Sequence, residues 1–307
     1  MARVCVLGIF VADLAFWSTR LPEMGETILG SAFKLGPGGK GSNQAIAARR
    51  AGAEVSLISR LGKDAFGELA RRTYAAEGVD DSRVADDPDH GTGAAFIMVE
   101  EGTGENAIIV TMGAAGQLTP ADVDAAADVI ASADVFATNC EVPVPVARRG
   151  LELARARGVR TILNPAPAVP LPDDIYPLVD FLTPNESEAA SLCGRPVDGI
   201  DAARAAAAAF RERGVGCPVI TLGAAGALVD DGAGEAGRVP AVEAGPVVDT
   251  TGAGDAFNGG FAVGLAEGLD ARAAAGFGCA VAGLSVTRVG TAPSMPTRDE
   301  IDRLLSR

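Results

Sequence analysis

The chain has 307 residues, 48% hydrophobic and 21% charged, with a formal net charge of −14. That composition excludes a disordered chain and leaves room for one large α/β core or two small ones. The acid excess argues against nucleic acid or an anionic membrane as partner, since neither would meet a basic face; a nucleotide would be held only through local N–H groups and a divalent cation.

In chain order, Arg3–Ile9 reads as a buried strand. The apolar run Val4–Ala12 is followed by Asp13 and by no small-x-small cleavage site, so it is not a signal peptide. Asp13 stands just past the strand, where a carboxylate can accept two hydroxyl hydrogen bonds. Leu14–Leu35, with its turn residues, does not fit a strand–helix unit. Gly36-Pro-Gly-Gly-Lys-Gly-Ser-Asn43 then opens a helix over Ser42–Ala51. Gly36, Gly38 and Gly41 match G-x-G-x-x-G, with Asp64 at the distance of a ribose-binding acid. A dinucleotide fingerprint should follow the first strand at once, however, and here Leu14–Leu35 intervenes. Nor is this a Walker A loop, because Lys40 is followed by Gly41 where Ser or Thr is required. What remains is a glycine-lined helix entry bearing Lys40 and Asn43, suited to a polyhydroxylated ligand that approaches the backbone closely.

Further on, Val55–Leu61 reads as a strand and Ala65–Glu77 as a helix, and Gly93–Thr111 reads as a hairpin around a Gly-containing loop. The segments at about 14–35 and 93–111 read either as a small sheet set off the main body as a lid or as an ordinary surface hairpin. Strands at Val135–Thr138, Arg160–Asn164, Phe181–Thr183, Pro218–Leu222 and Ala227–Asp230 alternate with helices at Pro120–Ala131, Pro145–Arg157 and Asp201–Arg213. This alternation predicts a mostly parallel sheet with helices on both faces, and ligands of such sheets collect at the carboxyl ends of strands. Glu141 follows one such end. Thr183-Pro-Asn-Glu-Ser-Glu188 follows another and puts Asn185 and Glu188 one turn apart, fit for phosphate and metal-bound water, although Glu188 reads equally as a helix-start acid. Thr221-Leu-Gly-Ala-Ala-Gly226 is a strand end and tight turn.

The most informative stretch is Val247–Gly260, V-V-D-T-T-G-A-G-D-A-F-N-G-G, read as a short apolar strand, a small-residue turn and a helix start. Gly252, Ala253 and Gly254 leave backbone N–H groups uncovered at the positive end of the helix, where an anion is favoured. Asp255 in that pocket would repel the anion, which makes sense if it takes a proton from a hydroxyl attacking a phosphoryl group. Asp249 lies beside the same turn with no evident basic partner. Ala273–Thr287 is too short to span a bilayer, which takes about 20 residues, and reads as a buried helix. The five cysteines are scattered and odd in number, and with a single histidine they offer no zinc site. Free thiols fit a cytoplasmic protein.

Gly38-Gly-Lys-Gly-Ser-Asn43 and Asp249-Thr-Thr-Gly-Ala-Gly-Asp-Ala-Phe-Asn-Gly259 resemble the two signatures of the ribokinase-like (PfkB) carbohydrate kinases. Asn164-Pro-Ala-Pro, Thr183-Pro-Asn-Glu-Ser-Glu, Thr221-Leu-Gly and Val286-Thr-Arg288 resemble further stretches of that family in the same order, over essentially the whole chain. The resemblance implies one kinase domain over 1–307, a three-layer αβα fold with a mostly parallel central sheet and a small β-sheet lid. It implies ATP-dependent phosphorylation of a sugar such as ribose or a similar small furanose or ketose, with Asp255 as base and Gly252, Ala253 and Gly254 as anion hole. Sugar contacts would come from Asp13, Gly39, Lys40, Gly41, Asn43, Glu141 and Asp255. ATP contacts would come from Asn185, Thr221, Gly223, Gly226, Gly254 and Cys279, and Glu188 would serve Mg²⁺ through water. Asp249, Thr251, Ser285, Arg288, Gly290 and Ser294 match a monovalent-cation (K⁺) site, and pairing of lids would make a homodimer. Two departures stand out. Ribokinase-type members carry Asn where this chain has Val11, and His where it has Cys279. The other readings are a nucleoside kinase of the same fold and a non-catalytic sugar- or nucleotide-binding regulator.

Overall fold

A computed structural model describes residues 1–306. Nine strands form the main sheet, in the order Gly237–Val239, Ala227–Val229, Cys217–Thr221, Phe181–Leu182, Arg160–Asn164, Val135–Asn139, Arg3–Leu7, Glu54–Gly62, Asp80–Asp87. All neighbours pair parallel except the two pairings made by Ala227–Val229.

Successive residues of each inner strand serve opposite faces, as the two-residue side-chain period requires. Val4 and Val6 join one apolar cluster while Cys5 and Leu7 join the other, and Val219 and Ile220 divide in the same way. The first cluster is closed by helices Lys40–Arg50, Ala65–Glu77, Ala253–Ala266, Ala271–Ser285 and Arg298–Leu305. The second is closed chiefly by Val144–Ala156, Glu186–Cys193 and Ile200–Glu212. The expected three-layer αβα architecture is therefore present. No helix among the described residues is long and apolar enough to cross a membrane.

The four-stranded second sheet runs Ala32–Gly38, Val11–Ser18, Thr92–Glu100, Asn106–Gly113. It unites the two segments that broke the strand–helix rhythm and reaches a few residues beyond 14–35 and 93–111. Val11–Ser18 and Ala32–Gly38 pair antiparallel, with Val11 opposite Gly38 and Asp13 opposite Gly36. Odd-numbered residues of Val11–Ser18 therefore share a face with Asp13, and even-numbered ones point away.

Two expectations need correction, and one strand is additional. The helix expected over 120–131 is two helices, Pro120–Asp124 and Ala127–Ser132. The break at Ala125–Ala126 lets Val123, Ala126 and Ile130 all reach the core. Val247 and Val248 form no strand; they are exposed, with Val248 anchored only through its N–H to the Val286 carbonyl. A hydrophobic pair without a neighbouring strand has no ladder to join. The strand Asp80–Asp87 escaped notice because its sequence, D-D-S-R-V-A-D-D, is that of a half-solvated sheet edge.

Candidate active site

The carboxyl ends of the parallel strands face the start of the helix Lys40–Arg50, the start of Ala253–Ala266 and one face of the small sheet. The two helices meet because Gly259 has no side chain: a Cβ there would lie 2.5 Å from the Ala47 Cβ and 2.8 Å from the Ala48 nitrogen. This contact brings Asn43 and Gln44 onto Asp255, more than two hundred positions away. Asp255 is 6% exposed. Its Oδ2 accepts from Asn43 Nδ2 at 3.0 Å and its Oδ1 from Gln44 Nε2 at 3.1 Å.

Gly252 starts the helix with φ of 79°, a left-handed conformation that side chains resist. The Ala253 N–H donates to the Thr250 carbonyl at 3.2 Å, so of the three expected anion-hole donors it is partly engaged. A Cβ on Gly254 would meet nothing within 4 Å, so this part of the turn faces open space.

Asp13 enters from the small sheet. Gly38 makes room for it, since a Cβ at Gly38 would lie 2.3 Å from the Asp13 carboxylate. Glu141, beyond the strand Val135–Asn139, accepts the backbone N–H of Lys40 at 2.8 Å. Burial, helped by the charge of Asp255, pushes Asp13 up to about 6 and Glu141 up to about 7. Burial also raises the Asp255 carboxyl, against the pull of Lys40, Asn43 and Gln44, and raises Glu188. Lys40 is raised as well: burial opposes its charge, but Asp255, Glu141 and Glu188 outweigh it. One ammonium thus faces the carboxylates of Asp255, Glu141 and Glu188, and Asp13 adds a further acid near Asp255. A pocket with such an excess of acid favours protons or cations. The Asn43 Oδ1 is buried with no partner among the described residues, an acceptor suited to a ligand hydroxyl.

The expected nucleotide residues fall at neighbouring strand ends. Asn185 and Thr221 form an isolated parallel bridge, and Gly223 and Gly226 bound the tight turn after Thr221. A Cβ on Gly223 would also meet nothing within 4 Å. Asn185 caps the helix Glu186–Cys193 in a reciprocal box with Glu188, which engages one oxygen of each side chain. Cys279 lies in the apolar cluster, 5% exposed, and burial pushes its thiol up to about 11. No group of three or more His, Cys, Asp or Glu among the described residues could hold a metal ion.

At the loop expected to bind a monovalent cation, Asp249 accepts the N–H groups of Thr251 and Gly290, both at 2.9 Å. Its carboxyl is held low: burial works against the charge, but these bonds and the Lys34 ammonium prevail. As expected, Asp249 makes no ion pair among the described residues; Lys34, from the strand Ala32–Gly38, acts on it only through its charge and is the smallest of these effects. Ser285 and Ser294 donate to carbonyls of their own turns, and the Arg288 side chain pairs with Glu300. Asp64 lies apart from all of this. It caps the helix Ala65–Glu77 and accepts the Thr92 N–H, a structural use that removes the dinucleotide match.

Residues missing from the expected site are Gln44 and Asn258, and the motif residues Asn164 and Thr183 had no assigned role. The available signals were a polar Ser42-Asn43-Gln44 run heading an apolar helix and a lone amide, Asn258, in the buried stretch Ala256–Leu265.

Residues 1–298 match the family model described as pfkB family carbohydrate kinase. The chain is 38% identical over 296 residues to a ribokinase of Haemophilus influenzae, covering 96% of this chain and 95% of that one. It is 35% identical over 304 residues to a deoxyribokinase of Salmonella typhi, covering 99% and 98%. The structure of Arabidopsis thaliana ribokinase complexed with ribose and ATP superposes with a TM-score of 0.94 at 30% identity, covering 100% of both chains. By that match over residues 1–298 and by that identity over nearly its whole length, the chain belongs to the pfkB family of carbohydrate kinases.

Proposed function

We propose that this carbohydrate kinase transfers the γ-phosphoryl group of ATP to a hydroxyl of a small sugar, ribose or a deoxy relative, acting as one kinase domain with the small sheet as its lid. The observation that carries this is Asp255: a buried carboxylate at a helix start, held by two amides beside an open glycine turn. Asp255 accepts the proton of the attacking hydroxyl, and Gly252, Ala253 and Gly254 steady the charge of the transferring group. Asp13, Gly39, Lys40, Gly41, Asn43 and Glu141 hold the other hydroxyls, which supplies the alignment that makes in-line attack fast. The relative solved with ribose and ATP supports both ligands.

ATP lies along Asn185, Thr221, Gly223, Gly226, Gly254 and Cys279. Glu188 would hold Mg²⁺ through water, and the ion would neutralise charge on the phosphates, in keeping with the acid excess of the pocket. Backbone oxygens around Thr251, Ser285, Arg288, Gly290 and Ser294, with the Asp249 carboxylate, would hold K⁺. The unpaired thiols suit the cytoplasm.

A homodimer through the lid is supported by the face turned away from Asp13, which exposes Phe16, Phe33, Leu35, Phe96 and Ile109. The Phe16 ring lies 4.9 Å from Phe33 and 5.7 Å from Phe96. A contiguous apolar face of this kind is a contact surface, and a second copy presents the same one. Those rings point away from the site and cannot stack on a nucleobase there; of the aromatics of this sheet only Trp17 shares the face of Asp13. A coupled ADP-release assay over pentoses, other sugars and nucleosides tests the reading. Release with a pentose supports it; faster release with nucleosides, or none with any acceptor, replaces it with the nucleoside-kinase or the regulator reading.

A further inference from the structure

Behind Asp255 runs a chain of buried amides and hydroxyls that no part of the proposed chemistry has used. Gln44 Nε2 donates both to Asp255 Oδ1 and to Asn164 Oδ1, each at 3.1 Å. Asn164 Nδ2 donates to the Thr183 carbonyl at 2.8 Å, and Thr183 Oγ1 donates to Asn258 Oδ1 at 2.6 Å. Asn258 Nδ2 then donates to the Gly254 carbonyl at 2.8 Å. Gln44, Asn164, Thr183 and Asn258 are all buried, and none touches solvent enough to be needed for solubility. The circuit starts at the carboxylate and ends one residue before it, after crossing two strand ends and the interior of a helix.

We infer that Gln44 is the positioning residue of the phosphoryl-transfer base: its amide, locked between Asp255 and Asn164, fixes the carboxylate, and the Asn164–Thr183–Asn258 relay registers that carboxylate to the Gly254 turn. The inference rests on the reading of Asp255 as the base. Both protons of the Gln44 amide are spent on acceptors, so the group has one orientation. A buried network in which each amide nitrogen and the hydroxyl has an acceptor is rigid, and a rigid base needs little reorganisation at the moment of transfer. Asn43 differs in kind, since its Oδ1 has no partner and its Nδ2 binds the other carboxylate oxygen. Asn43 Oδ1 is free to engage the sugar, whereas both bonds of the Gln44 amide nitrogen go to protein acceptors.

The test compares kcat against pH for the wild type, Gln44→Met, the isosteric Gln44→Glu and Asp255→Asn. Losing a donor to the ionised carboxylate, or gaining a second negative charge beside it, raises the pH at which Asp255 ionises. The groups facing Asp255 from other elements, Lys40, Asp13, Glu141 and Glu188, are common to all the enzymes, so the readout is the difference between profiles. Gln44→Met is expected to lower kcat about tenfold and to move the acid limb up by about one pH unit, with KM for ATP unchanged. Gln44→Glu, which keeps the packing volume, moves the limb further. An unshifted limb in the folded variants, whether kcat is retained or lost, overturns the inference. Normal turnover in Asp255→Asn overturns the underlying base reading instead, and the two failures are separate.

Discussion

Val11→Asn probes the wall of the sugar pocket. Val11 lies two residues before Asp13, on the same face of its strand, and is 3% exposed. Its register partners are Gly38 and Gly93, so Val11 supplies the only side chain in that row of three strands. An apolar group there contributes no hydrogen bond to a hydroxyl, and an apolar wall discriminates weakly among sugars. The wild type is therefore expected to bind ribose weakly for its family and to favour an acceptor with no polar group at that point, such as a deoxypentose. An amide in the same place restores one well-oriented bond, about 1.5–3 kcal/mol, which is about one to two orders in kcat/KM for ribose. The same amide is buried without a partner when the sugar is absent, at a cost of about 1–3 kcal/mol in the unliganded protein. The variant should thus have a lowered Tm that ribose restores, alongside the kinetic gain. Coupled ADP release with ribose and with 2-deoxyribose, together with thermal melts at several ribose concentrations, measures both. A wild type that already prefers ribose with low KM, and a variant unchanged in kinetics, would show that Val11 does not face the sugar.

Three further outcomes are expected. Asp255→Asn keeps the fold and ATP binding but lowers kcat at least ~10²-fold, as loss of a general base does; near-normal turnover in single-turnover assays refutes the assignment. Rates at fixed Mg²⁺ are higher in K⁺ than in Na⁺ or Tris, and identical rates in all three remove the cation from the account. The unliganded protein becomes less stable as pH rises from about 5 to about 8. Asp13 and Glu141, at about 6 and about 7 when folded, bind more protons folded than unfolded in that window, so the slope of stability with pH is negative there. Denaturant midpoints that are flat or rising across the window contradict those shifts.

The parallel layers and the Asp255 turn were legible because local pattern encodes them: strands with apolar residues on both faces, and glycines where a backbone must stay open. The small sheet was legible only as a break in rhythm, and its strands were joined through pairings such as Asp13 with Ala95, which no local pattern specifies. The Lys34–Asp249 proximity and the Gln44–Asn164–Thr183–Asn258 relay were invisible for the same reason. Each joins residues from separate elements, and amides have no periodicity that betrays a partner. Asp64 shows the reverse failing, a motif match whose carboxylate is spent on capping a helix.

The close seating of the helix Lys40–Arg50 on Ala253–Ala266 has a consequence for biosynthesis. Ala45, Ile46, Ala47 and Ala48 are completely buried in the finished protein, and part of that cover is the helix around Gly259. On a ribosome adding about 5–20 residues per second, that cover is missing for on the order of ten seconds or more after the first helix emerges. A nascent chain of this protein therefore carries an unsealed alanine-rich surface through most of its synthesis, and a chain that stalls before Gly259 keeps it. Such a fragment is a substrate for chaperones and proteases even though its first strands and helices are fully made.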